Sequence, residues 1–255
     1  MGNERVNASR RSFLRKSAVL AGTLMVGSAV RPFNALLFAA NEPDKSKPWY
    51  AIGIDIEKCI GCGMCAKACK LENNVPQEPF FYRSWVEQYT IKNDGSISVQ
   101  SPNGGIDGFT QAAEDTDIFK TFFVPKMCNH CAKSPCVQVC PVGATYESPE
   151  GVVLVDEKYC IGCRYCIQAC PYGCRYLHPV KKTVDKCTLC YHRLKKGMAP
   201  ACFEVCPTEA RIYGDLNNKE DKIHKFLKEH NCQVLKPNLN TGSKLYYNGL
   251  SMEVR

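Results

Sequence analysis

Two apolar runs open the chain, Ala18 to Val30 and Pro32 to Ala40, divided by Arg31. The first, of about 13 residues, is shorter than the roughly 20 that a membrane-crossing helix needs. No later stretch is apolar enough to cross, so membrane attachment requires a partner or a retained leader. Beyond a polar linker at Asn41 to Pro48 the pattern changes period. Trp49 to Ile56 predicts a first strand. Ser84 to Ile91 and Ser96 to Gln100 flank Lys92-Asn93-Asp94-Gly95 and predict a hairpin turning at Asp-Gly. Phe119 to Val124 predicts a further strand, and two short β-prone stretches around Pro149-Glu150-Gly151 a second hairpin.

Helical signals are few. Ala66 to Leu71 predicts a short helix, and Lys219 to Glu229 an amphipathic one with Ile223, Phe226 and Leu227 on one face. Thr208 to Gly214 predicts a returning strand. Val234 to Tyr247, with scattered Pro, Asn and Gly, predicts an extended tail wrapping the body or a partner, its tyrosines packed in the core. Residues 101–118 read as a surface loop. Their glycine-rich start, Ser101 to Gly108, has neither the lysine nor the helix start of a phosphate-binding loop.

Charge divides the chain unevenly. The net charge is +8, of which residues 1–31 hold +5 and the remainder only +3. The basic segment Ser9-Arg10-Arg11-Ser12-Phe13-Leu14-Arg15-Lys16, followed by the glycine-containing apolar run, resembles a twin-arginine export signal read at Arg10 and Arg11. Folded export through that machinery suits a chain that acquires its metal in the reducing cytoplasm, and it places the working compartment on the periplasmic side. A cleaved leader within residues 1–40 is expected.

Cysteine spacing carries the chemistry. Sixteen of the 18 cysteines fall into four runs. Cys59, Cys62, Cys65, Cys69 and Cys160, Cys163, Cys166, Cys170 have the C-x2-C-x2-C-x3-C spacing of bacterial ferredoxins. Cys128, Cys131, Cys136, Cys140 and Cys187, Cys190, Cys202, Cys206 stretch the middle gap and keep both ends, each closing on proline. Zinc modules rarely add the closing C-x3-C-P. A disulfide framework suits small domains without a core, whereas 255 residues at 45% hydrophobic content bury a proper one. Four 4Fe-4S clusters are expected. Counted as thiolate-bound clusters at about −2 each, they turn the mature chain to about −5, which leaves nucleic acid little electrostatic footing.

Three cysteines on one loop surround a cubane, and the closing cysteine lies a helical turn away, where it serves the neighbouring cluster. Motifs therefore work in pairs. The hairpin between Cys140 and Cys160 joins motifs two and three, and by elimination one and four pair around them. Cluster one then takes Cys59, Cys62, Cys65 and Cys206; cluster two Cys128, Cys131, Cys136 and Cys170; cluster three Cys160, Cys163, Cys166 and Cys140; cluster four Cys187, Cys190, Cys202 and Cys69. The expected fold is α+β: two interleaved bacterial-ferredoxin-like units with a β-rich insertion and an extended C-terminal tail. Its segments are 41–118 (motif one and the insertion), 119–180 (inner unit), 181–215 (motif four) and 216–255 (helix and docking tail). Cys174 and Cys232 receive no role, and His130 is expected to pack or hydrogen-bond. Arg164, Arg175, Lys186 and Arg211 are candidates for tuning cluster potential.

Cys-Asn-His-Cys at 128–131, Pro-Cys-Val-Gln-Val-Cys-Pro at 135–141, Cys-Ile-Gly-Cys-Arg-Tyr-Cys at 160–166 and Lys-Cys-Thr-Leu-Cys at 186–190 resemble the four-cluster iron-sulfur subunits of respiratory complexes. Tyr213-Gly214-Asp215-Leu216-Asn217 and Leu235-Lys236-Pro237 resemble that family's ending. The family includes subunits associated with polysulfide, tetrathionate, DMSO and cytochrome c nitrite reductases and with the sulfite-reduction membrane complex. Two features depart from it: Lys70 follows Cys69 in place of proline, and the segment from Phe80 to Phe119 is long. The resemblance implies an electron wire, not catalytic alone, between an integral membrane quinol-reactive subunit and a periplasmic partner. The leader points to a multihaem cytochrome c or a sulfur-metabolism enzyme. The alternatives are a molybdopterin catalytic subunit as partner, or a freestanding exported polyferredoxin.

Overall fold

The computed structural model describes residues 46–78, 81–110 and 117–254. The expected export signal at Arg10 and Arg11 lies outside them.

The hydrophobic stretch after the linker forms β1 (Tyr50–Asp55) at the centre of a three-stranded sheet. β1 is buried along nearly its whole length because both faces are covered. Ile52 and Ile54 point into the main core, while Ala51 packs with Ile223 and Phe226 of an amphipathic helix. Gly53 is required there: a Cβ would lie 2.6 Å from the Phe226 ring. That helix (Lys222–Glu229) starts where the Asp221 carboxylate accepts from the Ile223 N–H at 3.0 Å, a cap worth about 1 kcal/mol.

The flanking strands come from distant sequence. One (Arg211–Asp215), after the last cysteine motif, pairs antiparallel with β1, setting Ile52 opposite Tyr213. The other (Leu245–Asn248) pairs parallel with it, setting Ile52 opposite Leu245. The tail runs along the body, with Lys236 donating to the Pro171 carbonyl at 2.8 Å and Thr241 and Gly242 accepting from Lys133 and Ala132. Its end joins the sheet: Leu245 and Tyr247 are fully buried, and the Tyr247 hydroxyl donates to the Pro125 carbonyl at 3.1 Å. The tyrosine goes to the core, as its apolar ring dictates, and its oxygen finds a backbone partner.

In chain order the remaining elements are α1 (Met64–Glu72), β2 (Ser84–Lys92), β3 (Ile97–Gln100), β4 (Ile118–Met127), α2 (Pro135–Gln138), β5 (Thr145–Glu147), β6 (Val153–Val155), α3 (Tyr165–Gln168), β7 (Arg175–Leu177), β8 (Val184–Lys186), α4 (Tyr191–Leu194) and α5 (Ala201–Glu204). The strand at 211–215 is β9, the helix at 222–229 is α6, and the strand at 245–248 is β10.

β2 and β3 form the expected hairpin at Asp94-Gly95, and β4 completes an antiparallel sheet in the order β3-β2-β4. Val86, Val124 and Met127 turn from it into the main core. β5 and β6 pair around 148–151 as expected, and β7 pairs with β8.

The reading of 101–118 as surface loop needs correction at its start. Residues 102–105 form a 3-10 turn in which Gly104 and Gly105 are buried. Gly105 lies directly against Gly63, where a Cβ would stand 2.0 Å from the Gly105 oxygen. Backbone-to-backbone contact of this kind leaves no hydrophobic pattern, because the residues that permit it have no side chain.

Candidate metal centres

Each cysteine motif leads a loop into a short helix, and the longer motif four holds a second one, α4, between Cys190 and Cys202. Gly63 and Arg164, at φ 68° in both cases, turn the loop into the helix that carries the third cysteine. α1 and α3 then carry Cys65 and Cys166, while α2 and α5 carry Cys136 and Cys202. Cys69 closes motif one from within α1, whereas Cys140, Cys170 and Cys206 each follow two residues after their helix ends. No disulfide forms among the eighteen cysteines.

The sulfurs gather in groups that mix motifs. One cavity is lined by Cys59, Cys62 and Cys65 of motif one together with Cys206 of motif four. A second is lined by Cys128, Cys131 and Cys136 of motif two with Cys170 of motif three. Cys69 is deeply buried, and burial, followed by the nearby thiols of Cys202, Cys187 and Cys190, holds its pKa well above the ordinary value. Cys160 packs beside Cys166, and Cys140 sits beyond α2, the helix that packs on α3. Cys62 and Cys163 are exposed; the other fourteen cysteines of the motifs are buried or half-buried.

Backbone N–H groups turn toward these sulfurs. His130 N donates to Cys128 at 3.5 Å, Thr145 N to Cys140 at 3.5 Å, Val184 N to Cys160 at 3.4 Å and Leu189 N to Cys187 at 3.3 Å. Asn73 adds a side-chain donor between Cys69 (3.7 Å) and Cys190 (3.6 Å). Burial pushes the thiols of Cys59 and Cys187 up to about 11 and that of Cys131 up to about 12. For Cys187 the next cause is Cys128, so motifs two and four approach each other there.

The buried cations have the opposite need. Arg175 and Arg211 are each 5% exposed. The Arg211 guanidinium donates to Cys65 Sγ at 3.3 Å, Cys202 Sγ at 3.7 Å, Met127 Sδ at 3.3 Å and Ser84 Oγ at 2.9 Å. Arg175 donates to Cys136 Sγ at 3.0 Å and Thr145 Oγ1 at 3.3 Å. Among the described residues neither meets a carboxylate, unlike Arg83, which pairs with Asp185 at 2.8 Å. A buried cation without a counter-ion is costly, and so is a packed group of buried thiolates without metal. A thiolate-bound, net-anionic metal–sulfide core answers both needs, so the residues present fit such a group.

The other candidates separate. Arg164 is exposed. Lys186 is 1% exposed and donates to the carbonyls of Val153 and Cys187. His130 accepts from the Val153 N–H at Nδ1 at 3.1 Å, while among the described residues its Nε2 has no partner. Cys174 donates to the Met127 carbonyl at 3.1 Å, and Cys232 packs near Ile223 and Phe226. Asn73, Ser84 and Thr145 went unnoticed in the sequence. Only Thr145 carried a signal, standing five residues after Cys140 as Arg175 and Arg211 stand after Cys170 and Cys206.

Cysteine loops that lead into short helices, with sulfurs grouped across motifs, define a ferredoxin-type electron carrier. Two models of the 4Fe-4S dicluster domain match, over residues 58–144 and 119–216. A tetrathionate reductase subunit from Salmonella typhimurium strain LT2 is 39% identical over 249 residues, covering 96% of this chain and 90% of the relative. Protein NrfC of Escherichia coli K12 is 37% identical, covering 93% and 94%. A polysulfide reductase chain from Wolinella succinogenes is 36% identical, covering 77% and 92%. The protein belongs to this family of iron-sulfur subunits of respiratory reductases. It holds 4Fe-4S clusters and is an electron-transfer subunit, not the catalytic one.

Proposed function

We propose that the chain carries four 4Fe-4S clusters, ligated across motifs as the spacing predicts, and relays electrons between a quinol-reactive membrane subunit and a catalytic partner on the periplasmic side. The clusters supply one-electron redox chemistry. The chain's own residues enclose them, orient backbone donors at sulfur and set the charge around them.

The grouping of Cys59, Cys62, Cys65 with Cys206, and of Cys128, Cys131, Cys136 with Cys170, carries this reading. The approach of Cys187 to Cys128 supports a relay order of cluster one, four, two, three. The sets at its two ends then hold the exposed cysteines, Cys62 and Cys163, with Ile60 and Met64 exposed near one and Tyr159, Ile161 and Tyr165 near the other. Electrons would enter and leave at these ends. The interleaved outer unit is supported by β1 and β9, which pair although they precede motif one and follow motif four.

The basic start at Arg10 and Arg11 supports export by the twin-arginine machinery. The relatives' names include tetrathionate and polysulfide reductases, which favours a sulfur-compound reductase as the catalytic partner. Gentle detergent extraction of source membranes tests the proposal. The chain should come away with an integral membrane protein, and added quinol should bleach its clusters anaerobically. A chain that purifies alone and ignores quinol is a soluble shuttle, and the proposal fails.

A further inference from the structure

Arg175 and Arg211 occupy equivalent places in the two halves of the molecule. Each stands five residues after a closing cysteine, Cys170 or Cys206, and each opens a strand, β7 or β9. Each donates to the third cysteine of the other motif in its pair: Arg175 to Cys136 of motif two, Arg211 to Cys65 of motif one. Each also donates to a hydroxyl, Thr145 or Ser84. The leading charges felt by each guanidinium are thiols from both sets of its pair, with Tyr247 a smaller one at Arg211. For Arg175 these are Cys136, Cys128, Cys166 and Cys170, and for Arg211 they are Cys65, Cys202 and Cys59.

We propose that each guanidinium is a shared counter-charge that sets the potentials of one cluster pair: Arg211 for clusters one and four, Arg175 for clusters two and three. The assignment rests on the four-cluster reading above. When one electron passes to a cluster from its neighbour, the acceptor gains one negative charge and the donor loses one. A fixed cation between the two stabilises the extra charge on either side. It therefore raises both potentials together while leaving the step between them nearly level, which keeps the relay from trapping an electron inside a pair. The distribution of the other cations sharpens the point. Arg164 is solvated, Lys186 is directed at carbonyl oxygens, and Arg83 is neutralised by Asp185. Among the described residues, Arg175 and Arg211 are buried guanidinium groups that donate to cysteine sulfur and meet no carboxylate.

Both are positioning residues, and midpoint potentials read their role. In an anaerobic EPR redox titration of the full-length holoprotein, R211Q should lower two of the four potentials and leave two in place. R175Q should lower the complementary two, and the double variant all four. A tenfold change in the oxidised-to-reduced ratio at fixed potential, about 59 mV for one electron, is the shift expected for each affected cluster. R211K and R175K, which keep the charge, should restore most of it. Unchanged potentials, or a uniform shift of all four from one substitution, would overturn the proposal. So would loss of iron from both the Gln and Lys variants, which makes the residue structural. A wild-type protein with fewer than four reducible clusters would instead defeat the underlying reading.

Discussion

Asn73 donates to the sulfur of Cys190 at 3.6 Å across 117 residues of sequence. Its amide also reaches Cys69 Sγ at 3.7 Å, and its oxygen accepts from Arg83 at 3.0 Å, so one side chain ties motif one to motif four. Donors at sulfur stabilise the more negative reduced state. Asn73→Ala should move one midpoint potential to a more negative value and leave the other three unchanged, and Asn73→Asp should move the same one further. Redox titration of both variants checks this; four unchanged potentials would contradict it.

Gly63 tests the loop packed on motif one. At φ +68° with the Gly105 oxygen 2.0 Å from any Cβ, alanine must both adopt a disfavoured backbone and displace the 3-10 turn. The cost should be about 2–4 kcal/mol, lowering the apparent Tm by roughly 2–4 °C per kcal/mol. Gly95, whose Cβ would meet nothing nearby, is the control at a comparable positive φ of 81°. Its alanine variant should cost only about 1–2 kcal/mol. Anaerobic thermal unfolding compares the two.

Tyr247 anchors the terminal strand. Tyr247→Phe removes its bond to the Pro125 carbonyl and should cost about 1 kcal/mol, whereas Tyr247→Ala opens a cavity beside β1 and should cost about 3–5 kcal/mol. A stop after Ser243 removes β10 whole and uncovers the parallel edge of β1. Such a chain should be recovered mainly as aggregate. Denaturant unfolding of the two point variants and the soluble yield of the truncated chain measure these effects.

The cluster pairing has its own test. Cys206→Ser should damage the same EPR signal as Cys59→Ser, and Cys170→Ser the same one as Cys128→Ser. Each partner comes from a different motif, so loss of four distinct signals would overturn the assignment.

Much of this was legible in the chain. β-prone runs flanking the Asp94-Gly95 turn and a Pro-Glu-Gly turn at 149–151 announced two hairpins, because such turn residues reverse the chain between strands. Cysteine spacing announced the chemistry. Gly104 and Gly105 were misread, since a close backbone approach has no side-chain periodicity. β10 was missed because its parallel pairing with β1 depends on a partner about 190 residues away. The four-residue helices α2 to α5 are too short for any helical period to register. Among four basic candidates sequence could not separate Arg164 from Arg175, because only burial distinguishes a solvated cation from one facing sulfur.

Metal and sulfide analysis of anaerobically purified protein, read together with its EPR redox titration, tests the central claim most directly. The account predicts about sixteen irons and a matching amount of acid-labile sulfide per chain, with four one-electron couples. Zinc in place of iron, or fewer than four reducible centres in fully loaded protein, would contradict it.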